Sequence, residues 1–277
     1  MGDHFKQEKK LGLSLSGGGA RGLAHIGVLK VLETEGIKIS SISGCSMGGL
    51  IGALFAIGIS IQQIEAFAIE NTSIREMIRL VGLAPSRRGL IEGQKIRKLL
   101  SKIIREDTDF LDLKIPLTLN AVDINSGKEI ALTEGNLLDA IMATTAVPGF
   151  FEPVLIEGFY LIDGGVLDNL PIKFLQNKNL DIIVGVDVHQ DLLNDLPIRN
   201  LTESKLDFFQ NLYRSETIMI SEITKFNLEK FSPDVLIKPS IPRGVTMFRG
   251  FQKAAETINC GVISTNKQIE QIKDKLI

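Results

Sequence analysis

Two glycine-rich turns within residues 11–57, each set between short apolar runs, constrain the fold more than any other feature of the chain. Leu11 to Ser16 reads as a strand, and Gly17-Gly18-Gly19-Ala20-Arg21-Gly22 follows it at once. Leu23, Ile26, Leu29, Val31 and Leu32 then recur at helical spacing up to a stop near Gly36. Ile37 to Ser43 reads as a second strand, which delivers Gly44-Cys45-Ser46-Met47-Gly48 and, from about Gly49, a second helix. Strand, helix and strand joined in this way form a βαβ unit, whose strands are parallel with both carboxyl ends on one sheet edge. Both glycine turns therefore open on the same side.

The remaining chain extends this pattern. Ser60 to Arg105 reads as helical, with Ser60 and Thr72 or Ser73 as N-caps and a break near Pro85. Pro116 to Ile124 and Lys128 to Thr133 read as strands joined by Asn125-Ser126-Gly127, and Asn136 caps a helix running to Thr145. Val154 to Ile156 and Phe159 to Ile162 form a hairpin around Glu157-Gly158, ending in Asp163-Gly164-Gly165. A strand over Ile182 to Val188 follows, then a polar loop over Asp191 to Ser204 and a helix over Lys205 to Lys230. A short strand at Val235 to Ile237 and an amphipathic helix from Phe251 to Ile277 close the chain. Alternating strands and helices predict an α/β fold with a largely parallel central sheet flanked by helices. No repeat or linker divides it, so residues 11–277 read as one domain behind a polar tail of residues 1–10.

Charge and cysteine content limit the partners. Lys and Arg total 31 against 33 Asp and Glu, so no overall basic field points to nucleic acid. The exception is local: Arg75, Arg79, Arg87, Arg88, Lys95, Arg97, Lys98, Lys102 and Arg105 face only Glu76 and Glu92 within Arg75 to Arg105. Such a run is a set of solvated helix faces or a surface for anionic phospholipid headgroups. The N-terminal residues lack the apolar core of a secretion signal, and the longest apolar run, Leu50 to Ile61, is too short to cross a bilayer. With two distant cysteines, Cys45 and Cys260, a cytoplasmic protein is expected, peripheral to the inner face of the membrane if the basic run meets lipid.

Gly44, Ser46 and Gly48 form a GxSxG pattern, in which small neighbours let the backbone turn sharply and expose the serine hydroxyl. Alone it reads equally as an ordinary turn. Gly17, Gly19 and Gly22 match a dinucleotide-binding GxGxxG, but the second strand ends in serines where a ribose-binding acid is needed. The same N–H groups suit a developing oxyanion beside Ser46. A serine needs a base, and the chain has three histidines, His4, His25 and His189. Only His189 follows Ser46 at a strand end, which admits a Ser-His-Asp triad with Asp163 or Asp187 as the acid. Asp163 between Ile162 and two glycines is the alternative, either as a direct general base or as an Asx turn. No His/Cys/Asp group stands at ligand spacing, so neither metal nor cofactor is expected.

Taken together, Gly17 to Gly22, Gly44 to Gly48 and Asp163-Gly164-Gly165 resemble the three ordered signatures of the patatin-like phospholipases. Leu13 to Gly27 and Ala143 to Pro153 are similar to small bacterial members related to the neuropathy target esterase catalytic domain, and the resemblance spans residues 11 to about 190. It implies a three-layer α/β/α fold and a lipid acyl hydrolase acting on a phospholipid, a lysophospholipid or another acyl ester. By the same resemblance Ser46 is the nucleophile, Asp163 the base, and N–H groups of Gly17, Gly18 and Gly19 the oxyanion hole. Arg21 would shape the loop or contact a phosphate. The rivals are a triad esterase using His189 and a non-hydrolytic nucleotide- or lipid-binding module.

Overall fold

The computed structural model describes residues 9–70, 93–189 and 208–277. At its centre lies β1 (Leu11–Leu15), every residue of which is buried. Parallel neighbours flank it, β2 (Ile39–Gly44) on one side and β7 (Ile182–Val186) on the other. Leu11, Leu13 and Leu15 alternate with the small Gly12 and Ser14, yet both faces are covered, so the small residues mark a face packed closely rather than one open to solvent. Beyond β7 lies β8 (Val235–Ile237), and beyond β2 lies β3 (Leu117–Asp123), both also parallel to their neighbours.

Past β3 the sheet changes direction. β4 (Glu129–Leu132) and β6 (Phe159–Asp163) both pair with β3 in antiparallel fashion, and β5 (Val154–Ile156) completes the hairpin with β6. The eight strands thus form a mixed sheet in the order β5-β6-β3-β2-β1-β7-β8, with β4 beside β3. This reversal matters for the site. An antiparallel strand delivers its end toward the opposite edge, yet β6 stops with Asp163 opposite Ala121, while Gly44 of β2 lies opposite Leu119. Asp163 is therefore brought to the level of the turn that follows β2.

Helices cover the sheet: α1 (Ala24–Thr34), α2 (Ser46–Ile57), α3 (Ile61–Glu70), α4 (Gly93–Leu100), α5 (Leu137–Thr144), α6 (Phe208–Lys230), α7 (Ala254–Asn266) and α8 (Ile269–Leu276). Ser60 and Gln63 cap α3 reciprocally, through Gln63 N–H to Ser60 Oγ at 3.3 Å and Ser60 N–H to Gln63 Oε1 at 3.2 Å. Asn136 caps α5 by accepting the Asp139 N–H at 3.0 Å. Helix boundaries differ from the sequence reading, and α4 already ends at Leu100 rather than at Arg105. The helix after β2 begins at Ser46 itself rather than near Gly49, because Cys45 in extended geometry already serves as its N-cap. The C-terminal segment is two helices, since Gln268 N–H turns back to the Thr265 carbonyl at 2.9 Å and ends the first. The caps expected at Thr72 or Ser73, the break at Pro85 and the loop over Asp191 to Ser204 lie outside the described residues.

The closest helix packing joins α1 to α7. A Cβ at Gly27 would overlap the Ile258 carbonyl, and one at Gly261 would overlap the Ala24 carbonyl. The two backbones therefore touch at a crossing that only glycine permits. This fixes α1, and with it the glycine loop that precedes it.

Candidate active site

Ser46 sits at a turn of high curvature. Its φ is 50°, a left-handed value uncommon for a residue with a Cβ, and strain of this kind concentrates at functional sites. The flanking glycines make the turn possible by close approach: a Cβ on Gly44 would lie 2.7 Å from Gly49 Cα, and one on Gly48 2.5 Å from the Leu15 and Ser16 carbonyl oxygens. Cys45 N–H donates to the Leu15 carbonyl at 3.1 Å and Ser46 N–H to Thr144 Oγ1 at 3.0 Å, so β1 and α5 hold the turn from two sides. The serine is 8 % exposed, at the head of α2.

Ser46 and the buried Asp163 line one hollow, and the Ser46 hydroxyl acts on the carboxyl to lower its pKa. Asp163 Oδ1 also accepts the Gly165 N–H at 2.8 Å and the Cys45 thiol at 3.4 Å. Burial raises the Asp163 pKa to about 6, against the opposing pull of these donors. Cys45 itself is pushed upward by burial and by the Asp163 charge, so it stays a thiol. The Asx turn weighed for Asp-Gly-Gly is present as the Gly165 contact, and it holds the carboxylate toward Ser46 rather than replacing that role. Behind it, Asn120 fills the space a Gly164 side chain would need and donates to the Asp168 carbonyl at 2.7 Å.

Neither described histidine has Ser46 or Asp163 among its hydrogen-bond partners. His25 is buried in α1 and its Nε2 lies 2.8 Å from the Ser16 carbonyl, with burial lowering its pKa to about 4. His189 donates its backbone N–H to Asp187 Oδ1 at 2.9 Å, its Nδ1 lies 3.4 Å from Asn169 Nδ2, and its Nε2 is buried without a hydrogen-bond partner among the described residues. Burial and the Arg21 charge lower its pKa to about 3. Asp187 faces Lys238 at 3.5 Å rather than the imidazole ring. His4 lies outside the described residues.

In the glycine loop, Gly17 N–H donates to the Asn169 carbonyl at 3.0 Å, Ala20 N–H to the Met247 carbonyl at 3.1 Å and Arg21 N–H to the Gly18 carbonyl at 3.2 Å. The N–H groups of Gly18 and Gly19 have no acceptor among the described residues, so the donor expected from Gly17 is already engaged. Gly22 packs against Met47, and Gly19 lies directly beneath the Met247 carbonyl. A dinucleotide pyrophosphate would need that roof removed. Arg21 is almost fully buried, and its charge acts on Asp187 and His189.

Two hollows meet at Ser46. One, of about 740 Å³, is lined by apolar side chains including Met47, Leu50, Phe67, Leu99, Phe151 and Phe248. The other, of about 250 Å³, is lined by Gly18, Asp163, Gly165, Asn169 and Glu216 among others. Asn169 and Glu216 were not singled out by the sequence reading. A signal existed for Glu216, because it stands four residues from both Leu212 and Ile220 on the apolar stripe of α6. Asn169 offered none beyond following Asp163 by six positions. Of the basic run, Arg97 pairs with Glu106 and Asp139, and Arg105 with Asp107 at 3.4 Å, so acids outside Arg75 to Arg105 or on α5 face it. Arg75, Arg79, Arg87 and Arg88 lie outside the described residues. No described helix is long and apolar enough to cross a membrane.

The family described as patatin-like phospholipase matches residues 13–175. An uncharacterized NTE family protein of Mycobacterium tuberculosis is 34 % identical over 182 residues, covering 65 % of this chain and 49 % of the relative. Lysophospholipase NTE1 of Pyricularia oryzae is 31 % identical over 193 residues, covering 68 % of this chain and 13 % of that protein. The chain thus matches about half or less of these curated relatives. Among solved structures, VipD of Legionella pneumophila superposes with a TM-score of 0.57 at 16 % identity, covering 96 % of this chain and 67 % of that one, which shows a shared fold.

Proposed function

Because the chain belongs to the patatin-like phospholipase family, we propose that it is a lipid acyl hydrolase in which Ser46 and Asp163 act as a catalytic dyad. The observation that carries this reading is the hydroxyl of a strained, turn-borne serine beside a buried carboxyl whose pKa is raised to about 6. A serine hydroxyl becomes a nucleophile when a base within hydrogen-bonding reach takes its proton. In this reading Asp163 takes the proton as Ser46 Oγ attacks the ester carbonyl carbon. The N–H groups of Gly18 and Gly19 stabilise the oxyanion. Protonated Asp163 then gives its proton to the leaving alcohol, the C–O bond breaks, and acyl-Ser46 remains. Water, deprotonated by Asp163, attacks the acyl carbon and releases the acid, with the proton returning to Ser46.

The apolar hollow supports an acyl-chain substrate, since it opens at Ser46 and its lining of aliphatic and aromatic side chains offers few polar partners. Phospholipids, lysophospholipids and other acyl esters all satisfy that requirement. A fluorophosphonate probe is expected to label wild type and not Ser46→Ala, and Asp163→Ala is expected to abolish nitrophenyl ester hydrolysis with the far-UV spectrum unchanged. Full activity in Asp163→Ala with loss in His189→Ala would replace the dyad by the triad. The free Cys45 thiol against Asp163 fits a reducing cytoplasmic setting. Contact with anionic membrane through Arg75 to Arg105 is tested by salt-sensitive sedimentation with anionic liposomes; equal recovery with neutral liposomes removes it.

A further inference from the structure

The smaller hollow beside Ser46 carries a charge pattern that the dyad alone does not require. Two acids, Asp163 and Glu216, belong to its lining, together with the neutral polar groups of Gly18, Ser46 and Asn169, and no lysine or arginine does so among the described residues. Asp163 ends β6 of the sheet, whereas Glu216 comes from α6. It is directed inward by the helical repeat it shares with the buried Ile220. Its Oε2 is buried and accepts no hydrogen bond among the described residues. A buried carboxylate oxygen left without a donor is costly, and it becomes favourable only when something entering the hollow supplies one.

The geometry of the reaction says what enters. Ser46 lines both hollows, so an ester with its acyl chain in the apolar one and its carbonyl at Ser46 would turn its alcohol half toward the polar one. We propose that Glu216 sets the specificity for that alcohol: it accepts a hydrogen bond from an uncharged, hydroxyl-bearing leaving group, as in a monoacylglycerol, and repels one that carries a phosphate. The two acids act together here, since burial first and the Asp163 charge second push the Glu216 carboxyl up to about 7. Above that pH an approaching phosphate meets like charge at short range in a poorly solvated space, where such repulsion is strong. The inference rests on the esterase reading and narrows its substrate class.

The test compares monooleoylglycerol with oleoyl lysophosphatidate in matched neutral detergent micelles at about pH 8, where both acids are ionised. Wild type is expected to favour the uncharged substrate in kcat/KM. Glu216→Gln is expected to shrink that preference about tenfold, mainly by lowering KM for the phosphate-bearing substrate, and Glu216→Asp to keep it within about threefold. Nitrophenyl butyrate, whose leaving group carries neither a glycerol hydroxyl nor a phosphate, reports the Ser46 chemistry itself, and any change it shows in a variant is divided out before the two lipid esters are compared. An unchanged preference in Glu216→Gln overturns the inference, as does a parallel fall on all three esters, which would mark a structural role. A wild-type preference for the phosphate-bearing substrate overturns it with no variant needed. If wild type neither hydrolyses nitrophenyl butyrate nor takes a fluorophosphonate on Ser46, the esterase reading falls and this inference with it; labelled, active enzyme with no preference removes this inference alone.

Discussion

Two aspartates, Asp163 at the end of β6 and Asp187 just past β7, are both buried at the carboxyl end of a strand, and burial pushes both pKa values up. Their partners differ. Asp187 faces Lys238, feels the Arg21 guanidinium and accepts a backbone N–H from His189. Asp163 meets only neutral donors among the described residues: a hydroxyl, a thiol and an amide N–H. A permanent cation stabilises the ionised carboxylate and takes away its basicity, whereas neutral donors hold it in place and leave its affinity for a proton high. In the proposed dyad it is this lack of counter-charge, not position in the sheet, that suits Asp163 rather than Asp187 to act as the base.

The strongest attempt to break this contrast is to remove the groups that depend on it. Ser46→Ala is expected to lower kcat for a nitrophenyl ester by about 10⁴-fold or more, and Asp163→Asn by about 10³-fold or more. Asp187→Asn is expected to cost less than about tenfold under the same assay. Equal losses at the two aspartates would erase the distinction. Stability sharpens it from the other direction. Raising a carboxyl from the ordinary 3.8 to about 6 stands for about 3 kcal/mol against the ionised folded form. Because the folded pKa lies above the unfolded one, this destabilisation is present above pH 6 and disappears as pH falls below 4. Asp163→Asn is therefore expected to raise the melting temperature at pH 8 and to lose that advantage near pH 4, measured by thermal denaturation at both. The wild-type kcat/KM should rise with pH through about 6 and level off, since only the ionised Asp163 accepts the proton. The smallest effect is expected at His189→Gln, within about threefold of wild type; a collapse of activity there would reinstate the imidazole.

Much of this architecture was legible beforehand because it rests on local rules. The parallel pairing of β1 with β2 followed from the βαβ unit, and the turn at Ser46 followed from the two small neighbours that the backbone needs in order to pass Leu15 and Gly49. The position of Asp163 did not follow. It depends on an antiparallel pairing with β3 and on where β6 stops, which no local pattern encodes. The engagement of Gly17 was hidden for the same reason, since its acceptor is the Asn169 carbonyl, far along the chain. Glu216 was masked by the common reading of a glutamate on a long helix as solvent-facing; only its place in the Leu212–Ile220 stripe argues otherwise.

The contact of α1 with α7 at Gly27 and Gly261 bears on how such a chain can be inherited. Every proposed catalytic atom lies within residues 13–175, the stretch that matches the family. Yet β1, which carries the glycine loop, takes one of its two neighbours from β7, and α1 is seated on a helix that begins at Ala254. A fusion or recombination that moved only the matched stretch would carry the chemistry without the ground beneath it. What evolution can pass between proteins as a working unit is therefore longer than the stretch by which kinship is recognised. A single side chain at position 261 is enough to separate the two.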